Sequence, residues 1–212
     1  MKNQIQQIDV NSALRHFQYT DSLMYSRFKG SIYRDNPLLL PRCKPVSEYF
    51  PTLVRSIISQ QISTKAAASI YKRLSSSHTL RPTSISQFPL TKLQSYGLTL
   101  QKAKYIHQLA INWSELKVDD FHQLDDREII DRLTMQYGIG TWTAQMFLLF
   151  AMARPDVFAY NDLGLRQQVV SWYGIRDQNK DTIFEISQRW SPHRSAASLT
   201  LWFYIDNGPV LL

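Results

Sequence analysis

The sequence predicts an all-α protein, and three observations support that prediction. Apolar residues recur at the three- and four-residue spacing of a helix face, while the alternation typical of a half-buried strand is not found. Glycine and proline interrupt these segments where helices would begin or end. With 212 residues, of which 44% are hydrophobic, the chain can also bury a substantial core.

The first strongly periodic segment has apolar residues at positions i, i+3, i+4, i+7 and i+8, which place them on one helix face. These residues are Phe50, Leu53, Val54, Ile57 and Ile58. The helix is expected to end near Gln60. A second helix is predicted over residues 64–74, because the hydroxyl of Ser63 can cap its first N–H groups.

Shorter helical segments follow the loop at 75–82. They are predicted over residues 84–88, 91–96, 103–113 and 125–136. The last of them is expected to open on a capping box, in which Asp125 and Glu128 each bond the other residue's backbone N–H.

Residues 141–153 are apolar on nearly every side, which predicts a central buried helix. Pro155 should stop it, because the residue before a proline avoids helical geometry. Helices are further predicted at 163–173, at 181–190 and from the Ser191-Pro192 pair to residue 206, with two more within 10–33 and an extended linker at 37–45. In the last of these, Ser191 would be the N-cap and Pro192 the first helical residue.

We expect these helices to form one domain over residues 1–212 with two lobes. Residues 46–150 would form a central lobe that includes a hairpin at 133–144, and residues 1–45 with 151–212 would form the second lobe. A cleft between two lobes is a natural ligand site. The loop that carries Asp162 is expected at the mouth of that cleft.

Charge and cysteine content narrow the possible functions. Lysine and arginine number 24 against 17 acidic residues, a net charge of +7 that favours a polyanionic partner such as DNA. Cys43 is the only cysteine, so a disulfide within the chain or a four-cysteine iron–sulfur or zinc site is excluded. The five histidines lack metal-ligand spacing, and no side-chain metal site is expected.

The sequence does not indicate a membrane protein. The first residues lack the apolar region of a signal peptide, and the longest apolar run, residues 146–153, is too short to span a bilayer. We therefore expect a soluble monomer, in the cytoplasm of a prokaryote or the nucleus of a eukaryote.

The most informative segment is a glycine hairpin followed by one acid. Gly138 and Gly140 flank Ile139 immediately before the apolar helix, and Asp162 follows Gly140 by 22 positions. Glycines let backbone approach a neighbour closely, and the first N–H groups of a helix favour an anion such as a phosphate. Taken singly, the glycines could be a plain turn and Asp162 a helix N-cap. Together they indicate chemistry on DNA.

Four stretches in order resemble the helix-hairpin-helix DNA glycosylase superfamily, and most closely its DNA-3-methyladenine glycosylase II type. They are LVRSIISQQIS at 53–63, the loop from Tyr96 to Ile106, the hairpin at 138–144, and the Trp190-x-Pro192-x-Arg194 segment that leads to Trp202. The resemblance covers about residues 46–206. Larger bacterial forms have an added N-terminal β-rich domain, so this chain resembles a compact version.

The resemblance implies that Asp162 is the catalytic residue. Breaking an N-glycosidic bond builds positive charge on the sugar, which a carboxylate stabilises while it orients or deprotonates the attacking water. An alkylated purine is already cationic and leaves without a strong general acid. One carboxylate is therefore enough for the reaction.

Trp142 occupies the position at which relatives that also cut the strand have a lysine nucleophile. Because an indole cannot form a Schiff base, a monofunctional enzyme that leaves an abasic site is expected. The flipped base would enter an aromatic pocket, since a cationic base attracts π faces. Trp142, Trp202 and Met146 match pocket positions, although core packing is the alternative for both tryptophans.

The resemblance also implies how double-stranded DNA would be held. Gln61 matches the residue that fills the gap left by the flipped base, and Gln60 beside it is also expected to contact the DNA. Phosphates would be met by backbone N–H groups at 138–144, which include those of Gly138, Gly140, Thr141 and Thr143, and by Ser63, Thr99, Lys65, Lys102 and Lys104. In the family, hairpin carbonyls often hold Na⁺ or K⁺; no other cofactor is implied.

Two alternatives stay open at this stage. One is a non-catalytic module that binds damaged DNA through the hairpin, which would leave a carboxylate at Asp162 without a use. The other is a glycosylase for oxidised or mismatched bases. The usual branches of that class have a nucleophilic lysine or cluster cysteines, which this chain lacks. Methylated adenine, methylated guanine, ethenoadenine and hypoxanthine are all open as substrates.

Overall fold

A computed structural model describes residues 8–77, 80–176 and 179–207 of the chain. The described residues form helices and loops without a strand, as expected for an all-α protein. The α-helices are α1 (Val10–Thr20), α2 (Ser22–Lys29), α3 (Ile32–Asp35), α4 (Tyr49–Ser59), α5 (Thr64–Ser77), α6 (Pro82–Ile85), α7 (Leu90–Ser95), α8 (Leu100–Ile111), α9 (Asp126–Thr134), α10 (Thr141–Phe150), α11 (Leu163–Tyr173), α12 (Lys180–Gln188) and α13 (Arg194–Asn207). Short 3-10 helices lie at Pro37–Leu39, Val46–Glu48, Trp113–Leu116 and Val118–Gln123.

The chain divides into two compact units. Residues 44–147 form one, which we call the hairpin unit, and residues 1–43 with 148–212 form the other, which we call the terminal unit. The division falls within α10, so this helix is shared by both units. Each unit has its own buried residues.

Helix α4 forms the centre of the hairpin unit. The apolar face predicted from its sequence is buried throughout, at 1% exposure or less for each of its five residues. The ring of Tyr49, at its first turn, packs edge-on against Phe147 with centroids 4.9 Å apart. The predicted capping box is also confirmed: Asp125 and Glu128 exchange side-chain to backbone hydrogen bonds of 2.8 Å and open α9.

In the terminal unit, Leu40, Leu149 and Leu199 form a buried cluster against which Trp202 packs. Helix α10 ends at Phe150, three residues earlier than predicted. Ala153 adopts a left-handed conformation with φ of 53°, and the Arg154 N–H donates to the Leu148 carbonyl at 3.0 Å. The left-handed residue Ala153 and the hydrogen bond from Arg154 to Leu148, rather than Pro155, therefore terminate the helix.

The start of α13 also differs from the prediction. The helix begins at Arg194 and not at Pro192, and its first N–H donates to the Asp156 carboxylate at 3.2 Å. The hydroxyl of Ser191, predicted to cap this helix, instead donates to the other oxygen of Asp156 at 2.8 Å. Asp156, 38 positions before Arg194, therefore caps α13. A negative charge at a helix start is favourable whether or not it is close in sequence.

The carboxylate of Asp156 also accepts both Arg194 donors, Nε at 2.7 Å and Nη2 at 2.8 Å. The two side chains are each 23% exposed. Burial raises the pKa of Asp156, but hydrogen bonds from Arg194 and Ser191 outweigh that effect and lower the pKa overall. The ion pair therefore connects the segment that precedes Asp162 to the start of α13.

We expect Asp156→Asn to lower the free energy of unfolding by about 2 kcal/mol at pH 7, because the bidentate pair is lost and Arg194 is left partly buried. A carboxylate with a lowered pKa stabilises the fold above its ordinary pKa and loses that effect as the pH falls through the lowered value. The difference between wild type and variant should be constant above about pH 5 and shrink below about pH 4.

Urea unfolding measured across this pH range tests the expectation. Asp35→Asn is the matched control, since its ion pair with Arg34 is exposed and spans 3.7 Å. That variant should change stability by less than about 0.5 kcal/mol. Equal effects of the two substitutions would show that the Asp156 pair has no special role.

Candidate active site

The hairpin between α9 and α10 requires glycine at its first position. Gly138 has φ of +85°, and a Cβ built there would lie 2.0 Å from the ring of Tyr105. The next residue, Ile139, is buried, and its N–H donates to the Gln136 carbonyl at 3.1 Å. The aromatic ring of Tyr105 therefore packs directly under the turn, and Gly138 serves the fold of the hairpin.

Gly140 has a different environment. No heavy atom lies within 4 Å of the position its Cβ would occupy, and the residue is exposed. Its carbonyl accepts the Ala144 N–H at 3.1 Å, which makes Gly140 the residue before the first turn of α10. Thr141 follows and is exposed. This open side of the turn is where a phosphate could approach the helix start.

Two residues among the predicted phosphate contacts have side chains that bond within the protein. Thr143 is 1% exposed, and its hydroxyl accepts from the Gln60 amide at 3.0 Å. The Lys102 ammonium donates to the Ile58 carbonyl at 2.7 Å and the Gln60 carbonyl at 2.6 Å. The interpretation of the Lys102 side chain as a phosphate ligand is therefore corrected, since its ammonium is engaged at the end of α4. Thr143 is expected to meet a phosphate through its backbone N–H, and that contact stays a prediction.

Gln60 and Gln61 have opposite surroundings although they are adjacent. The Gln60 amide donates to the Gly138 carbonyl and to the Thr143 hydroxyl, each at 3.0 Å. Gln61 is exposed and left-handed, with φ of 57°. Gln60 is therefore a support of the hairpin rather than a DNA contact, whereas Gln61 extends from a backbone conformation that residues other than glycine rarely adopt.

The remaining predicted DNA contacts in this unit have exposed side chains. The Ser63 hydroxyl accepts the Ala66 N–H at 3.3 Å, and the Thr99 hydroxyl accepts the Lys102 N–H at 3.2 Å. Both residues thus cap helices, which leaves their roles at a phosphate as predictions. Lys65 and Lys104 are exposed, as a phosphate contact requires.

In the terminal unit, Asp162 is the N-cap of α11. Its Oδ1 accepts the Leu165 N–H at 2.9 Å, and the side chain is partly exposed. The capping alternative considered for this residue is thus part of its geometry, and the bond fixes the orientation of the carboxylate. A Cβ at Gly164 would lie 3.3 Å from Oδ1, so the glycine keeps space beside the acid. The sequence analysis did not identify Gly164.

The segment before Asp162 is held by the start of α13. The Ser195 hydroxyl donates to the Arg154 carbonyl at 2.5 Å and accepts the Val157 N–H at 3.0 Å, and the Ser198 hydroxyl donates to the Val157 carbonyl at 3.0 Å. Together with the ion pair between Asp156 and Arg194, these bonds connect residues 154–157 to the first turns of α13. The sequence motif at 190–202 therefore supports the loop that carries the acid.

The three predicted pocket residues belong to different units. Trp142 and Met146 lie in the hairpin unit, where Trp142 is partly buried and Met146 is 5% exposed. Trp202 lies in the terminal unit, stacked on Phe150 with centroids 6.0 Å apart. Trp202 thus takes part in core packing, the alternative considered for it, while the residue stays partly exposed.

Neither a metal cluster nor a membrane span is found in the part of the chain that the structure describes. Its histidines, cysteine and acids do not form a group of three suited to a metal ion. Within the same residues, no helix is both long and apolar enough to cross a bilayer.

An all-helical chain in which a glycine hairpin leads into an apolar helix, followed by a capped aspartate, defines a helix-hairpin-helix protein of the kind that acts on DNA. Residues 54–193 match the family model described as HhH-GPD superfamily base excision DNA repair protein. The chain belongs to that superfamily.

Three comparisons illustrate the relationship. The Bacillus subtilis protein YfjP is 30% identical over 129 residues, which cover 59% of this chain and 45% of YfjP. DNA-3-methyladenine glycosylase 1 of Schizosaccharomyces pombe is 29% identical over 178 residues, covering 80% of this chain and 76% of that protein. The solved structure of the S. pombe 3-methyladenine DNA glycosylase in complex with abasic DNA superposes with a TM-score of 0.79 at 27% identity, covering 90% of this chain and 95% of that one.

The two hairpin glycines should respond differently to substitution. Gly138→Ala should lower the free energy of unfolding by at least about 2 kcal/mol, because a methyl group would overlap the Tyr105 ring and strain a positive φ. Gly140→Ala should change it by less than about 0.5 kcal/mol, since its methyl group would meet open space. Urea unfolding of both variants tests this difference.

Gly140→Asp is then the substitution that tests the hairpin as a phosphate anchor. A carboxylate at the open side of the turn should weaken binding to damaged and undamaged duplex alike by at least about tenfold, through like-charge repulsion. Circular dichroism and urea unfolding establish that the variant is folded. A folded Gly140→Asp protein with wild-type affinity for both duplexes would move the DNA face elsewhere.

Proposed function

We propose that this protein is a monofunctional DNA glycosylase that hydrolyses the N-glycosidic bond of alkylated bases of the 3-methyladenine type and leaves an abasic site. The observation that carries the proposal is a partly exposed carboxylate, Asp162, whose orientation is fixed by the start of α11. The curated relatives named DNA-3-methyladenine glycosylase support the substrate class. The S. pombe structure with abasic DNA supports DNA as partner.

In this proposal, Asp162 stabilises the sugar as the bond breaks. The electron pair of the N-glycosidic bond goes to the cationic base, which leaves neutral, and positive charge develops at the sugar carbon. A fixed carboxylate lowers the energy of that charge without reorganising during the reaction. Water adds its oxygen to the same carbon, and its proton passes to the Asp162 carboxylate or to solvent. The bond from the Leu165 N–H to Oδ1 fixes the carboxylate, so the cap supports this role.

The proposal of a monofunctional enzyme rests on Trp142. This residue stands two positions after Gly140, where strand-cutting relatives have a nucleophilic lysine, and an indole nitrogen forms no Schiff base with a sugar aldehyde. Without a lysine nucleophile at this position, water is the group that attacks the sugar.

The other functional assignments belong to the same proposal. Trp142, Trp202 and Met146 are proposed to face the flipped base, and Gln61 to fill the gap that it leaves. The single-domain organisation, the cleft and the monomeric state also remain predictions. We expect the protein in the compartment that contains the genomic DNA, which is the cytoplasm of a prokaryote or the nucleus of a eukaryote.

A structural Na⁺ or K⁺ on hairpin carbonyls is likewise a proposal. The Gly138 carbonyl accepts from the Gln60 amide, whose hydrogens would repel a cation placed beside it. The ion would therefore use other carbonyl oxygens of the hairpin.

Asp162→Asn should reduce base excision by about 10²-fold or more, the scale of losing one key electrostatic group. Asparagine can still cap a helix, so folding and lesion-DNA binding should survive. Release of free base is measured from duplexes that each contain one methylated adenine, methylated guanine, ethenoadenine or hypoxanthine.

Asp9→Asn is the matched control, because Asp9 is also an N-cap, bonded to the Asn11 N–H at 2.9 Å. It should leave excision unchanged. Near-normal excision by Asp162→Asn would remove this acid from the mechanism. Duplex binding by the wild type with no release of any of these bases would favour the non-catalytic alternative.

The reaction type has its own test. After base release the product should be an intact strand with an abasic site, and borohydride added during the reaction should trap no covalent protein–DNA adduct. Electrophoresis under denaturing conditions measures both outcomes. Adduct at the level of a Schiff-base enzyme, run in parallel as a positive control, would overturn the monofunctional assignment.

A further inference from the structure

The ammonium of Lys102 is bonded to the C-terminal end of a neighbouring helix. It extends from the first turn of α8 and donates to two carbonyls at the end of α4, those of Ile58 and Gln60. The last carbonyls of a helix have no intrahelical donor and carry partial negative charge, so a cation there is favourable. Burial lowers the pKa of Lys102, which agrees with an ammonium held against protein rather than in water.

Gln60, whose carbonyl accepts from Lys102, also bonds the hairpin through its side chain. The Gln60 amide donates 3.0 Å bonds to the Gly138 carbonyl and to the Thr143 hydroxyl. The orientation of the amide is determined, because a carbonyl oxygen can only accept. Lys102, Gln60, Gly138 and Thr143 thus form a continuous hydrogen-bonded group within the hairpin unit, which we call the brace.

Gln61 is the next residue along the chain and lies between the brace and α5. It is exposed and left-handed, with φ of 57°, a conformation that persists only where its surroundings impose it. The fixed Gln60 on one side and the Ser63 cap of α5 on the other determine the path of this turn. The position of the Gln61 side chain therefore depends on the brace.

We infer that Lys102 and Gln60 are positioning residues that hold Gln61 at a fixed place relative to the hairpin. This inference rests on the proposed function for the role of Gln61 in the gap left by a flipped base. When the helix start at Gly140 holds a phosphate, the brace determines how far Gln61 reaches into the duplex. Lys102 acts through Gln61 and makes no phosphate contact of its own.

The salt dependence of binding to undamaged duplex separates this role from a phosphate contact. Lys102→Met removes the ammonium while a side chain as long as the lysine stem is kept. Lys104→Met is the matched comparison, because Lys104 lies two residues away on α8 with an exposed side chain. Loss of a phosphate contact lowers the slope of log affinity against log salt by about one unit. We expect that change for Lys104→Met and an unchanged slope for Lys102→Met.

Coupling to Gln61 is the second test. Under single-turnover conditions with saturating protein, Lys102→Met and Gln61→Ala should each slow excision by roughly tenfold, within the range of coupled neighbours. If Lys102 acts through Gln61, the double variant should be no slower than the slower single variant. Multiplication of the two losses, or a slope for Lys102→Met that falls by one unit, would overturn the inference.

Hydrogen exchange in the DNA-free protein tests the brace without any activity. Lys102→Met and Gln60→Met should both speed amide exchange at residues 60–63, and Gln60→Met also at 138–141, whereas Lys104→Met should not. Gln60→Met is the second variant should Lys102→Met fail to fold. Unchanged exchange in folded brace variants would contradict the inference even if excision is confirmed. Faster exchange without base release by the wild type would keep the brace and reject the proposed function.

Discussion

An α-helix leaves its first N–H groups and its last carbonyl groups without intrahelical partners, and this constraint positions the candidate functional side chains of the chain. Asp162 meets it at the start of α11, Asp156 at the start of α13 and Lys102 at the end of α4. Each of these bonds satisfies a helix end and at the same time fixes the direction of a charged group. For Asp162 and Lys102, the bond that satisfies a helix end is therefore also the bond that their proposed roles require.

The preorganisation of Asp162 depends on more than its own cap. Catalysis by a fixed carboxylate works only if the group does not have to be reoriented during the reaction. The segment from Arg154 to Val157 is bonded to Ser195 and Ser198 of α13, and the Asp156–Arg194 pair adds two charged hydrogen bonds. The loop that carries Asp162 is thus attached to a helix with a largely buried first half, and little freedom remains for the backbone that leads to the acid.

The two glycines of the hairpin, Gly138 and Gly140, have different roles. Gly138 provides a backbone conformation and the space for the Tyr105 ring, whereas Gly140 leaves the approach to the first turn of α10 open. The Gln60 amide, bonded to the carbonyl of Gly138, connects the turn to the end of α4. A backbone site for an anion needs both features, because exposed N–H groups bind well only when their positions are set in advance.

By itself, the sequence determined the helical fold, the buried face of α4, the Asp125–Glu128 capping box and the candidate pairing of a glycine hairpin with Asp162. These features depend on residues close together in the chain, where periodicity, capping and turn chemistry act locally. Only the tertiary structure decided that Lys102 and Thr143 face inward, that Gln60 bonds the hairpin, and that Asp156 rather than Ser191 caps α13. Those bonds join residues 38 or more positions apart, and a lysine or threonine has the same local pattern whether it meets a phosphate or a carbonyl.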